Sequence, residues 1–204
     1  MFKKIVIAAA LMVCAAFAQI DVGAHAAFSY GSAWGKNTDE LDWGPGFIVG
    51  PEVKYSINPM LSMISGLELD YRRMYRDFHV EYDALRNPDL RDYTVDETYS
   101  YMYLDIPVLL RVNPVSFFFI DAGVTFGFNL SASFTEEDPE NSESNDISSQ
   151  TKLFELGLDC GLGFTLFSEL ELNFRAAFGL IGMAKKSGDS KNLRLLFGIS
   201  YWTF

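Results

Sequence analysis

The chain has 204 residues, a formal net charge of −11 from 16 Lys and Arg against 27 Asp and Glu, and 15% aromatic residues. That length fits one good-sized domain, the acidic balance argues against a nucleic-acid partner, and the aromatic content favours strands over helices. Past the amino end, no apolar run is long enough for a transmembrane helix.

The amino end reads as an export signal. "MFKK" gives a positive start, "IVIAAALMVC" an apolar stretch, and "AFA" before Gln19 a small-residue cleavage site. Residues 1–18 are therefore expected to be a cleaved signal peptide and 19–204 the mature domain. Val13 is not the small residue that a lipid-attachment cysteine needs before it, so Cys14 leaves with the peptide and Cys160 stays unpaired. Without a disulfide, the fold must hold by pairing and packing.

From Ile20 onward, eight segments alternate apolar and polar residues, the period of a strand with two different faces. In the first, Val22, Ala24, Ala26 and Phe28 oppose Asp21, His25 and Ser29. The second, Trp43 to Ile57, sets Phe47, Val49, Val53 and Tyr55 against Glu52, Lys54 and Ser56. The third, Leu61 to Arg76, sets Met63, Leu67, Leu69 and Tyr71 against Glu68, Asp70 and Arg72. In the fourth, Met102 to Leu110 on even positions oppose Tyr101, Tyr103, Asp105 and Arg111. The fifth contains "FIDAGVTFGFNL", residues 119–130, with Asp121, Gly123, Thr125 and Gly127 on its polar face, and extends to about Phe134. The sixth, Phe154 to Leu166, carries Glu155, Gly157, Asp159, Gly161 and Gly163 on that face, and the seventh Glu169, Glu171, Asn173 and Arg175. The eighth runs from Asn192 to Phe204. There Leu193 to Tyr201 share one parity while Trp202 and Phe204 have the other, which suggests a bulge near Ser200.

The connections alternate as well. "NPM" at 58–60, "NPVS" at 113–116 and "SE" at 168–169 are tight, whereas 33–42, about 77–97, 135–150 and 185–191 are long and polar. Short turns at one end and long loops at the other are how outer-membrane barrels are built.

Three observations decide which face meets lipid. Segments five to seven alternate for longer than the roughly 5–6 residues of a soluble strand, and reach the about 9–11 that span a bilayer. Glycines lie on the polar face, where a narrow barrel interior is crowded. Turning Asp121, Glu155, Asp159, Glu169, Glu171 and Arg175 into lipid would cost on the order of 10 kcal/mol, at up to about 2–4 kcal/mol each. The polar face must point inward. A secreted soluble barrel with its apolar side inside shares the strand count but not these three features. The expected fold is all-β: an eight-stranded antiparallel up-and-down transmembrane β-barrel in the outer membrane.

"YLDIPVLLRV" at 103–112 resembles the "YLEIPLLLK" strand of the PorT-like outer-membrane β-barrel family, where a short turn and a glycine-rich strand such as "FIDAGVTFGF" also follow. The resemblance implies an eight-stranded barrel in the outer membrane of a Gram-negative cell. It implies no shared chemistry: one characterised branch serves protein secretion, while most members have no assigned role. The ending "YWTF" resembles the terminal aromatic signal read by barrel-assembly machinery, with Trp202 and Phe204 as its residues.

Candidate chemistry is sparse. His25 and His79 are the only histidines, and His25 with Ser29 and an inward acid is the sharpest enzymatic possibility, a Ser–His–acid hydrolase. The plainer reading is a histidine hydrogen-bonded inside a packed polar interior, in a protein that is not an enzyme. The inward charges Glu52, Glu68, Asp70, Asp105, Asp121, Glu155, Asp159, Glu169 and Glu171 facing Lys54, Arg72, Arg111 and Arg175 read as a structural network, since buried carboxylates persist only when paired. The rival is the lining of a small channel, but an eight-stranded interior is barely wide enough for its own side chains. "TEEDPENSESND" at 135–146 lacks the spacing of a calcium loop and reads as a solvated loop. Tyr71, Tyr75, Tyr99, Trp43 and Trp202 read as interfacial aromatics. No cofactor or metal is expected. The expected partners are outer-membrane lipid, the assembly machinery, and an extracellular or secretion-apparatus protein.

Overall fold

The computed structural model describes residues 20–35, 38, 41–80, 93–137, 142–185 and 190–203. The expected export signal with Cys14, Phe204 and the side chain of His79 lie outside the described residues. The strands are β1 (Ile20–Trp34), β2 (Asp42–Asn58), β3 (Leu61–Gly66), β4 (Glu68–Val80), β5 (Tyr93–Val115), β6 (Phe118–Glu137), β7 (Ser142–Asp146), β8 (Phe154–Phe167), β9 (Leu170–Gly179) and β10 (Lys191–Thr203).

Strands in adjacent places of the ring pair antiparallel, and β1 also pairs with β10, so the sheet closes on itself. β3 and β4 fill successive halves of one place between β2 and β5, and β7 pairs only with β6 at its far end, so the ring has eight strand positions. Closure leaves no free edge within the ring, the requirement for backbone inside a bilayer. The alternation sorts as the charges demand. Phe28 is 56% exposed on the outer wall, whereas His25 is 1% exposed inside. Outer positions carry Phe47, Leu130, Phe164, Phe174 and Phe197, all exposed, while Asp70, Asp105, Arg72 and Arg111 are buried.

Four features depart from the sequence expectations. The third strand is broken at Leu67. Continued through the break, the two registers set Pro51 of β2 against Leu67 and Pro107 of β5 against Gly66. Neither proline has an N–H to give, so the ladder lapses on both sides at once, and Leu67 keeps one bond, donating its N–H to Pro51 O at 3.1 Å. No bulge occurs near Ser200. β10 keeps one register through Ser200, Tyr201 and Trp202, so Trp202 simply points into the barrel.

The stretch 135–146 is not a plain loop: Thr135–Glu137 continue β6, and Ser142–Ser144 of β7 fold back on them. The reason is that β4 and β5 also run on past the belt, pairing as far as Val80 with Tyr93, and give β6 a sheet to extend. Finally, Asn113-Pro114 does not turn the chain. β5 absorbs Pro114 in a bulge between Val112 and Val115, and the turn falls at Ser116-Phe117.

Candidate functional site: the filled lumen

Inward side chains meet across the barrel in three polar groups. Nearest the short turns, Arg111 of β5 clasps Asp121 of β6 with Nε and Nη2, both at 2.8 Å, and reaches Glu171 of β9 at 2.5 Å. Lys54 stands beside it, 3.4 Å from Asp21 and 3.5 Å from Glu171. In the second group, His25 Nδ1 lies 2.7 Å from Glu68 Oε1 and 3.8 Å from Glu52 Oε1, with Arg175 Nη2 2.9 Å from both imidazole nitrogens. Ser200 donates to Glu52 at 3.1 Å. The third group centres on Arg72, which donates to Asp70 (2.9 Å), Asp105 (2.8 Å) and both oxygens of Glu155 (3.0 Å). Arg194 joins it by hydrogen-bonding Asp70 and standing 3.5 Å from Asp105. Asp159 accepts from Thr125 at 2.5 Å. Each buried carboxylate thus has a partner, as its removal from water requires.

Aromatic rings pack against the cations. The guanidinium of Arg72 lies 4.0 Å from the Tyr103 ring, that of Arg111 3.5 Å from Phe119, and the Lys54 ammonium 4.4 Å from Trp202. Such cation–π contacts hold the charge as well as the stem. Glycine makes room for two of these rings. A Cβ at Gly23 would come within 2.7 Å of Trp202 Cε3, and one at Gly163 would collide with Phe119.

Two features bound the lumen among the described residues. At the short-turn end a cavity of about 740 Å³ is lined by Asp21, Lys54, Ser62, Arg111, Thr165 and Glu171 among others. It stops at the Arg111 group. Toward the long loops, Met74, Tyr101, Tyr103, Ala132 and Met183 form a buried apolar cluster with Tyr99 and Ile147 packed on it. Met183 comes from the segment between β9 and β10, which bends into the mouth. Between the two lies a cavity of about 10 Å³, room for a single water, beside Asp105, Thr125, Asp159 and Arg194.

Most expected interior residues come together here: Glu52, Glu68, Asp70, Arg72, Asp105, Arg111, Asp121, Glu155, Asp159, Glu171 and Arg175 are buried, and Lys54 is half-buried. Glu169 is not among them. It sits in the turn and accepts from the outward Tyr201 at 3.0 Å. Trp202 (1% exposed) and Tyr99 face the interior rather than the interface, unlike Trp43, Tyr71 and Tyr75. Arg194 and Asn192 were missed, although their parity opposite Leu193 and Leu195 marks them as inward.

The hydrolase arrangement does not form. Ser29 lies four residues from His25 on one strand, about 13 Å away at strand rise, and both are 1% exposed. His25, Glu52 and Glu68 do bring one ligand atom each within 4.8 Å of one another, the donor set of a metal site that the sequence reading did not anticipate. Arg175 already supplies the cation there, and an ion would have to displace its guanidinium.

This geometry defines an integral outer-membrane protein of the eight-stranded barrel class. The profile of the outer membrane protein beta-barrel domain matches residues 17–185, and the chain belongs to that family. No curated protein sequence matches it. Among solved structures it is similar to Ail, the attachment invasion locus protein of Yersinia pestis, crystallised with the heparin analogue sucrose octasulfate, at 12% identity and a TM-score of 0.52 over 91% of this chain and 99% of that one. Another crystal structure of Ail gives 13% and 0.50 over 90% and 98%. The Neisserial surface protein A gives 14% and 0.43 over 90% and 96%. At these identities the likeness is one of fold.

Proposed function

We propose that this barrel is neither a channel nor an enzyme, and that it acts through the surface it projects beyond the membrane. One observation carries the reading: the lumen is filled by three ion-paired groups and capped toward the long loops by the Met74–Met183 cluster. On that side β4 to β7 continue as a projecting sheet whose exposed residues Asp77, Asp96, Glu136, Glu137, Glu143 and Asp146 are acidic. A positively charged partner surface suits it, through steering as much as affinity. The resemblance of 103–112 to a strand of the PorT-like family, one branch of which serves secretion, supports the finer reading, in which that partner belongs to a secretion apparatus.

The experiment is a planar-bilayer recording of the mature protein beside photo-crosslinking from position 143 in whole cells. The expected result is no steady conductance of solute size and a discrete protein crosslink. A steady large conductance would overturn the reading in favour of a channel.

A further inference from the structure

On the outer face of β4, beyond the apolar positions Leu67 and Leu69, three successive outward residues are Tyr71, Arg73 and Tyr75. Arg73 is exposed, and its Nε donates to the Tyr71 hydroxyl at 2.7 Å. Its guanidinium carbon stands 5.2 Å from the Tyr71 ring centroid. Tyr71 is itself fixed, its ring 5.4 Å from that of Phe47 and its hydroxyl donating to Ser100 at 3.4 Å.

Arg73 differs from the arginines inside. Arg72, Arg111, Arg175 and Arg194 each have a carboxylate within ion-pair distance. Among the described residues Arg73 has none. A guanidinium carries five N–H donors in a rigid fork suited to phosphate, and the one bond to Tyr71 leaves donors of the exposed Arg73 for another partner. Three strands away, on β10, Lys191 stands 4.8 Å over the Trp34 ring, also without a carboxylate partner among the described residues. Between them Tyr30 and Trp43 stack at 5.5 Å.

The fold decides what lies against this surface. Below Tyr71 the wall is Phe47, Val49 and Leu69, all exposed apolar side chains that meet acyl chains. Tyrosine and tryptophan above such a band mark the headgroup level, where basic side chains attract anionic lipid. We propose that Arg73, held against Tyr71, docks the phosphate of a lipid headgroup in the outer leaflet, with Lys191 as a second cation of the same sector. This rests on the membrane barrel and is independent of any loop-binding partner.

The test is native mass spectrometry of the folded mature protein in detergent with equal amounts of phosphatidic acid and phosphatidylcholine of the same chains. The wild type should retain phosphatidic acid preferentially. Arg73→Ala should lower that adduct about fivefold while keeping the heat-modifiable gel mobility of a folded barrel, and Arg73→Lys should recover part of it. Inorganic phosphate in large excess should not strip the lipid. An unchanged preference in Arg73→Ala, or complete displacement by free phosphate, would overturn the proposal. Labelling of Ala122→Cys by a lipid-soluble probe reads the membrane facing separately.

Discussion

Arg72 and Glu155, 83 residues apart in the chain, meet across the lumen with Nη1 3.0 Å from both carboxylate oxygens. The pair joins β4 to β8, strands that are not neighbours in the sheet, so it braces the ring from within.

Removing that brace has a definite cost. Arg72→Ala leaves Asp70, Asp105 and Glu155 short of their main counter-charge in a space water barely enters. The expected destabilisation is about 3–5 kcal/mol, read as a lower urea midpoint for loss of the fast-migrating unboiled band. An unchanged midpoint would show that the network fills space without holding the barrel.

Trp202 is the second interior anchor, packed with Ile64 and Leu109. Trp202→Ala should cost about 3–5 kcal/mol and Trp202→Phe distinctly less, because most of the ring volume is kept. Refolding yields into vesicles measure both. Equal yields for all three proteins would contradict the inward position of this side chain.

Glycine replacements should separate by position. Gly163→Ala meets Phe119 and the Leu172 carbonyl, whereas the nearest atom to a Cβ at Gly157 is 3.6 Å away. The first should cost about 1–3 kcal/mol and the second should fall within about 0.5 kcal/mol of wild type. Thermal unfolding in one detergent gives both numbers, and the reverse order would place the crowding elsewhere.

Facing can be read with single cysteines in a Cys160→Ser background. Ala122 and Ala176 sit on the outer wall and Thr125 is 7% exposed inside. Lipid-soluble maleimide should label Ala122→Cys and Ala176→Cys and leave Thr125→Cys untouched. Labelling of Thr125→Cys alone would invert the barrel.

Parity made the walls legible: a period of two needs no partner to be read, and it placed Asp105, Asp121 and Arg175 inside. It could not say who meets whom. His25 and Glu68 are 43 residues apart and touch only because three strands keep register between β1 and β4. The break at Leu67 was hidden for the same reason, since Pro51 and Pro107 matter only when set opposite Gly66 and Leu67. Low strand propensity concealed β7, whose five residues are all exposed and are held by the ladder on β6 alone. The cap depends on Met183, an apolar residue in a polar connection that periodicity treats as noise.

The seam between β1 and β10 bears on how the protein forms. Thirteen paired positions run from Val22↔Thr203 to Trp34↔Lys191, and Thr203 donates its hydroxyl to a carbonyl 181 residues earlier. Until the last strand arrives, β1 keeps a row of unanswered amides and carbonyls that lipid cannot solvate. The first strand made is thus among the last satisfied, and the earlier hairpins gain little from inserting alone. With its decisive contacts at such sequence separation the barrel belongs among slow folders. It should assemble in a single late step, with no stable half-barrel along the way.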